Sequence, residues 1–154
     1  MTKDMPILLV EDSEDDQMLI VRSLKKSGIM NTVVVAKDGV EALDYLFTNG
    51  GQDGKPPLRP AVILLDIKMP RVGGLEVLER IRANNATRTL PVVILTSSDE
   101  EQDKARSYEV GANSYVRKPV DFNAYATAIN SVGTYWLRVN ETPPLSVPPQ
   151  SAPE

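Results

Sequence analysis

The chain has 154 residues, 42% of them hydrophobic, and a formal net charge of −4. That is one domain's worth of chain with enough apolar residues for a core, and no run approaches the ~20 apolar residues that a helix needs to span a bilayer. It contains no cysteine and no histidine, which excludes disulfides, thiolate chemistry, thiolate metal sites and any phosphohistidine of its own, while the acidic balance argues against nucleic-acid binding.

The start, Met1-Thr2-Lys3-Asp4, lacks the apolar stretch of a signal peptide, so a cytoplasmic protein without a membrane segment is expected. A first strand is expected over 7–10. A helix then runs to about Ser27, with Met18, Leu19, Val21 and Leu24 as apolar positions and Gly28 placed as a C-terminal glycine. A β-branched run over 32–36 reads as strand two. Residues 40–47 read as helix two, with Leu43, Leu46 and Phe47 inward. The glycine- and proline-rich stretch 49–60 is a loop.

Strand three, 62–66, is apolar on both faces, as a central parallel strand should be. Leu75, Val77, Leu78 and Ile81 mark helix three. Strand four covers 92–95, helix four runs from about Glu100 to Val110, and strand five covers 114–117. Helix five starts near Asp121, with Phe122, Tyr125, Ala126, Ile129, Val132, Trp136 and Leu137 close to helical spacing. From Glu141 onward five of fourteen residues are proline, so 1–140 is expected to be the folded domain and 141–154 a disordered tail. Strict β/α alternation predicts an α/β sandwich on a five-stranded parallel sheet, with nothing left for a second domain.

Four of the apolar runs end on residues suited to phosphate chemistry: Glu11-Asp12, Asp66, Thr96 and Arg117-Lys118-Pro119. Ligands of open parallel sheets bind outside the carboxyl ends of the strands, where the strand order reverses. Helix capping accounts for Glu14, Asp15 and Asp16 after Ser13, but poorly for Glu11 and Asp12, which precede the cap. Two adjacent carboxylates repel unless a cation sits between them, and Mg²⁺ takes carboxylate and phosphate oxygens. Asp66 could be only a turn former, yet beside the acidic pair it suits a covalent phosphoryl acceptor. Ser98-x-x-Glu101 suits a helix cap, while the Thr96 hydroxyl is expected to face the cleft. Lys118 can pair with carboxylate or phosphate oxygens, and Pro119 permits a cis peptide bond that could aim it inward.

These residues, with Met69-Pro70, Gly74 and Tyr115, make the chain resemble a response-regulator receiver domain from residue 5 to about 138. The resemblance implies a doubly wound (βα)₅ sandwich with strand order 2-1-3-4-5. It implies that Asp66 accepts a phosphoryl group from a sensor histidine kinase. It further implies that Asp12, Asp66 and the backbone carbonyl of Lys68 hold Mg²⁺, with Glu11 helping through water. Lys118 and the Thr96 hydroxyl would bind the phosphoryl oxygens, and Tyr115 would swing inward as Thr96 moves. The long loop before strand three, Ala112-Asn113-Ser114-Tyr115 and Tyr135-Trp136-Leu137 are similar to stand-alone regulators of phytochrome-type kinases.

On this reading the protein is not an enzyme in its own right, and its output is a protein contact. A homodimer is expected through the helix four, strand five, helix five face, anchored by Trp136 and Leu137. Lys68 is expected beside the path of an attacking water, where it would alter phosphoryl lifetime. An aspartate-nucleophile phosphohydrolase would want an acid at position 68. A flavodoxin-like nucleotide binder would want a glycine- or hydroxyl-rich loop after strand one. A pseudo-receiver scaffold that is never phosphorylated is the remaining alternative.

Overall fold

The computed structural model describes residues 5–48, 59–69 and 71–144. Five strands, β1 (Ile7–Val10), β2 (Val33–Ala36), β3 (Val62–Leu65), β4 (Val92–Thr96) and β5 (Ser114–Arg117), form one parallel sheet in the order 2-1-3-4-5. Helices α1 (Glu14–Lys26), α2 (Gly39–Leu43), α3 (Gly74–Ala83), α4 (Glu101–Val110) and α5 (Phe122–Thr134) alternate with them. The expected fold class and strand order are therefore observed.

The three central strands are buried at every position because helices cover both faces of the sheet. Alternate residues feed two cores. Ile7, Leu9, Val62, Leu64, Val93 and Leu95 pack with Ile20, Leu24, Tyr125 and Ile129 of α1 and α5. Leu8, Val10, Ile63, Leu65, Val92 and Ile94 pack with Ala42, Val77, Leu78 and Ile81 of α2 and α3. The register sets Val10 beside both Ala36 and Leu65. The chain leaves β1 toward β2 and returns past it to β3, so the strand order reverses at the carboxyl end of β1.

Several helix faces differ from expectation. In α1 the inner face is set by Ile20 and Leu24, and Met18, two residues before Ile20, points outward and is 53% exposed. After Leu43 the second helix widens into a π-type turn over Asp44–Thr48. That widening shifts the register of the following residues, and Phe47 lies exposed rather than inward. A second π-type turn, Tyr135–Val139, extends α5. There Leu137 is buried in the core shared with α1, and Trp136 packs against the same core. Gly133 permits the close approach, since a Cβ on it would lie 2.7 Å from Leu24 Cδ2. Of the expected dimer anchors, Leu137 is thus buried in the monomer's own core and Trp136 is half-buried against it. The loop expected over 49–60 lies almost wholly outside the described residues. Of the expected tail, 141–144 carry no regular element and 145–154 lie outside the described residues.

Gly74 opens α3 directly against the end of β3. A Cβ there would fall 2.2 Å from the Asp66 carbonyl oxygen, a backbone atom that cannot step aside. Gly74→Ala should therefore cost about 1–3 kcal/mol, a drop in Tm of roughly 2–4 °C per kcal/mol for a domain this size. Thermal unfolding by circular dichroism checks it; an unchanged Tm would mean that α3 can retreat from Asp66 without loss.

Candidate phosphoryl-acceptor site

The strand ladder fixes the acids. Glu11 N–H donates to the Ala36 carbonyl at 3.0 Å, and Asp66 N–H donates to the Val10 carbonyl at 3.0 Å. Both residues thus stand at the reversal point, and both are buried, while Asp12 is exposed. Lys118 reaches them from the end of β5, its N–H held 2.7 Å from the Thr96 carbonyl. Its ammonium donates to Glu11 Oε1 at 2.6 Å, Asp16 Oδ2 at 2.9 Å and Asp66 Oδ2 at 3.4 Å. No cis peptide bond occurs among the described residues, so the expected cis bond at Pro119 is corrected. The trans form is the default even before proline, and Lys118 points inward without the isomer.

One oxygen from each of Glu11, Asp12 and Asp66 lies within 4.8 Å of the others. With Asp16 added, the site holds four carboxylates, and the Lys118 ammonium reaches three of them, Glu11, Asp16 and Asp66. Burial pushes Glu11 up to about 7, against the pull of Lys118 and the Ser13 N–H. For Lys118 burial opposes the charge, but Asp16, Glu11 and Asp66 outweigh it and hold the ammonium protonated above its ordinary range. An excess of hard oxygen donors, one of them open to solvent, fits a divalent cation such as Mg²⁺ that keeps part of its water shell.

Thr96 is fully buried. Its Oγ1 accepts from the Ser98 N–H at 3.3 Å, and the Tyr115 hydroxyl donates to the Ser98 carbonyl at 3.1 Å. Ser98 does not cap α4 as expected. The helix begins one residue after Glu100, and the Ser98 hydroxyl donates to Asp103 Oδ2 at 2.6 Å. Lys68 N–H donates to Asp66 Oδ1 at 3.1 Å, and its ammonium turns to Asp103 at 3.3 Å.

Two residues of the site escaped the sequence reading. Asp16 looks like an ordinary first-turn acid of α1, yet it lies one turn beyond Asp12 and grips Lys118. No local signal separates it from the neighbouring first-turn acids Glu14 and Asp15. Tyr125 is buried with a hydroxyl that has no hydrogen-bond partner among the described residues, and burial pushes its pKa up. Its helical spacing marks it as a core residue and nothing more.

The chain belongs to the response regulator receiver domain family, whose description matches residues 7–130. Within it the chain is related to the cyanobacterial phytochrome response regulators. Rcp1 of Synechocystis is 36% identical over 89% of this chain and 92% of its own. The probable methanogenesis regulatory protein FilR2 of Methanothrix harundinacea is 39% identical over 89% of this chain and 86% of its own. A crystal structure of phosphorylated RcpA, the cyanobacterial phytochrome response regulator, has a TM-score of 0.84 at 32% identity, covering 92% of this chain and 99% of that one. The Mn²⁺-bound form of Rcp1 has a TM-score of 0.83 at 34% identity, covering 91% and 99%. The bacteriophytochrome response regulator AtBRR is 51% identical, covers 90% and 99%, and has a TM-score of 0.70.

Proposed function

We propose that this chain is the phosphoacceptor of a two-component relay, with Asp66 as the acceptor and a phytochrome-type sensor histidine kinase as the donor. The observation that carries the reading is the Lys118 ammonium bridging Glu11, Asp16 and Asp66 at the point where the strand order reverses. A carboxylate oxygen of Asp66 attacks the phosphorus of the kinase's phosphohistidine. The P–N bond breaks with its electron pair passing to the nitrogen, and the imidazole, already protonated on its other nitrogen, leaves as the neutral ring. Such a transfer needs chiefly positioning and charge stabilisation rather than a base, which suits a chain without histidine.

Asp12, Asp66 and the Lys68 carbonyl would hold Mg²⁺, with Glu11 behind them, and the bound ion would neutralise charge on the transferring group. The Mn²⁺-bound form of Rcp1 supports a divalent ion in this acidic pocket. Lys118 is already 3.4 Å from the acceptor. It needs only to loosen from Glu11 and Asp16 to meet a phosphoryl oxygen. The Thr96 hydroxyl accepts from Ser98, so its own proton is free for another phosphoryl oxygen. Tyr115 then reports the change through Ser98.

A groove of about 800 Å³ between α1 and α5 starts beside the site at Asp15 and Asp16. Exposed Met18 and Phe122 form its apolar walls, and Arg22, Lys25 and Lys26 rim it. That is room for a kinase helix presenting its phosphohistidine to Asp66. The homodimer stays in the proposal on residues other than those first expected. Tyr108 on α4 and Val120 after β5 are exposed, at 50% and 101%.

Incubation with Mg²⁺ and acetyl phosphate should add one phosphoryl group, stable in acid and labile in base, to the wild type but not to Asp66→Asn. Intact-mass spectrometry reads the adduct, and analytical ultracentrifugation of the same samples reads dimerisation. A wild type that stays unmodified would leave the scaffold reading in its place.

A further inference from the structure

Asp103 sits in the first turn of α4, where a carboxylate is ordinarily explained by the helix dipole. Its contacts say more. Lys68 N–H holds Asp66 Oδ1 at 3.1 Å, and the Lys68 ammonium meets Asp103 Oδ2 at 3.3 Å. Asp103 Oδ2 also accepts the Ser98 hydroxyl at 2.6 Å, while Ser98 N–H donates to Thr96 Oγ1 at 3.3 Å. Thr96 ends β4 beside β3, whose end carries Asp66. The contacts therefore close a ring around the space in front of the acceptor carboxylate.

Within that ring the Lys68–Asp103 pair is half in solvent and weak by itself. The Ser98–Asp103 bond is short and half-buried, and the Ser98 hydroxyl, helped by Lys68, holds the Asp103 carboxyl below its usual range. The helix that carries Asp103 has little else to seat it. Ser107 is the sole fully buried residue of α4, and Val110 is half-buried against the core shared with α2 and α3. Polar contacts thus seat the loop between β4 and α4, and with it the Ser98 N–H that orients Thr96.

We propose that Asp103 is a positioning residue of the phosphoryl site, acting through Ser98 to fix the direction of the Thr96 hydroxyl and through Lys68 to tie that loop to the acceptor loop. The proposal rests on the reading of Asp66 as phosphoacceptor. Without Asp103 the Ser98 hydroxyl loses its acceptor, the loop keeps its Tyr115 contact but not its tie to α4, and the Ser98 N–H that Thr96 Oγ1 accepts is less firmly placed.

The test is the rate of Asp66 phosphorylation by acetyl phosphate in Mg²⁺. Asp103→Ala should slow it about three- to tenfold, the worth of one well-made hydrogen bond. Asp103→Asn keeps an acceptor for Ser98 but loses the ion pair, so it should fall between the two. Lys68→Ala with Asp103→Ala should be no slower than Asp103→Ala alone. In a Thr96→Val background, which keeps the shape and removes the hydroxyl, Asp103→Ala should cost clearly less than it does in the wild type, the remainder being the Lys68 tie. A merely structural role would leave the two effects additive. A wild-type rate for Asp103→Ala, or a full additional loss in the Thr96→Val background, overturns the proposal and leaves the acceptor reading standing. Labelling of Asp66→Asn at the wild-type rate overturns the acceptor reading and the proposal with it. If Asp103→Ala fails to fold by circular dichroism, the Asp103→Asn pair decides on the same terms.

Discussion

Lys118→Ala should destabilise the metal-free protein by about 3 kcal/mol near pH 8 and by clearly less near pH 6, because breaking a buried ion pair strands its partners. The Lys118 and Glu11 side chains are 8% and 2% exposed, so water cannot replace what is lost. The pH dependence follows from Glu11. Its pKa rises from the ordinary 4.5 to about 7 on folding. The folded state therefore keeps a proton that the unfolded chain releases, and stability falls as pH rises across that window. Removing Lys118 takes away the group that pulls Glu11 down, so the window reaches higher. Near pH 6 Glu11 is protonated in both proteins, so the gap there is only what Asp16 and Asp66 lose. Near pH 8 the wild type buries the Glu11 charge against Lys118, while the variant must either hold the proton or bury that charge unpaired. Lys118, raised above its ordinary 10.5, is charged in both folded and unfolded wild type throughout this range. Urea unfolding in EDTA at the two pH values measures the gap. An equal gap at both would show that Glu11 does not feel Lys118.

What could be read from the chain beforehand follows the strength of local signals. β1, β3 and β4 are apolar at every position because both faces are covered, and few other structures demand such runs. The acids and Thr96 stood out because they directly end those runs, and Lys118 because it follows the short strand β5. The rest depended on packing. Asp16 carries two roles, helix start and Lys118 partner, and the first hides the second. Ser98 sits where a cap belongs, and only the fold brings Asp103 and Thr96 Oγ1 to it. The widening after Leu43 is a register change that no residue announces, so Phe47 was turned the wrong way. Trp136 and Leu137 looked surplus because the π-type turn that lays them on the α1–α5 core was invisible. The Lys118–Pro119 bond was given a cis form for a job that a trans bond performs.

Asp12→Asn should all but abolish phosphorylation while leaving the metal-free fold as stable as before or more so. Asp12 is exposed and makes no hydrogen bond or ion pair with the other described residues, so the fold does not lean on it. Its carboxylate nonetheless lies within 4.8 Å of those of Glu11 and Asp66. Lys118 satisfies Glu11, Asp16 and Asp66 but not Asp12, which leaves Asp12 as charge repelled by its neighbours. Neutralising it should return a few tenths of a kcal/mol at a site open to solvent. A divalent ion that neutralises the transferring group is worth several kcal/mol to the reaction, so its loss should slow labelling by about a hundredfold or more. Asparagine keeps the shape and one oxygen and removes the charge alone. Calorimetric Mg²⁺ titration should show weakened binding, and acetyl phosphate labelling at ordinary Mg²⁺ should fail. Normal labelling, or a drop in metal-free Tm of several degrees, would make Asp12 a structural acid. A gain in stability joined to a loss of phosphorylation is what a carboxylate kept for an ion should give, since the repulsion it imposes on the empty site is the attraction it offers the filled one.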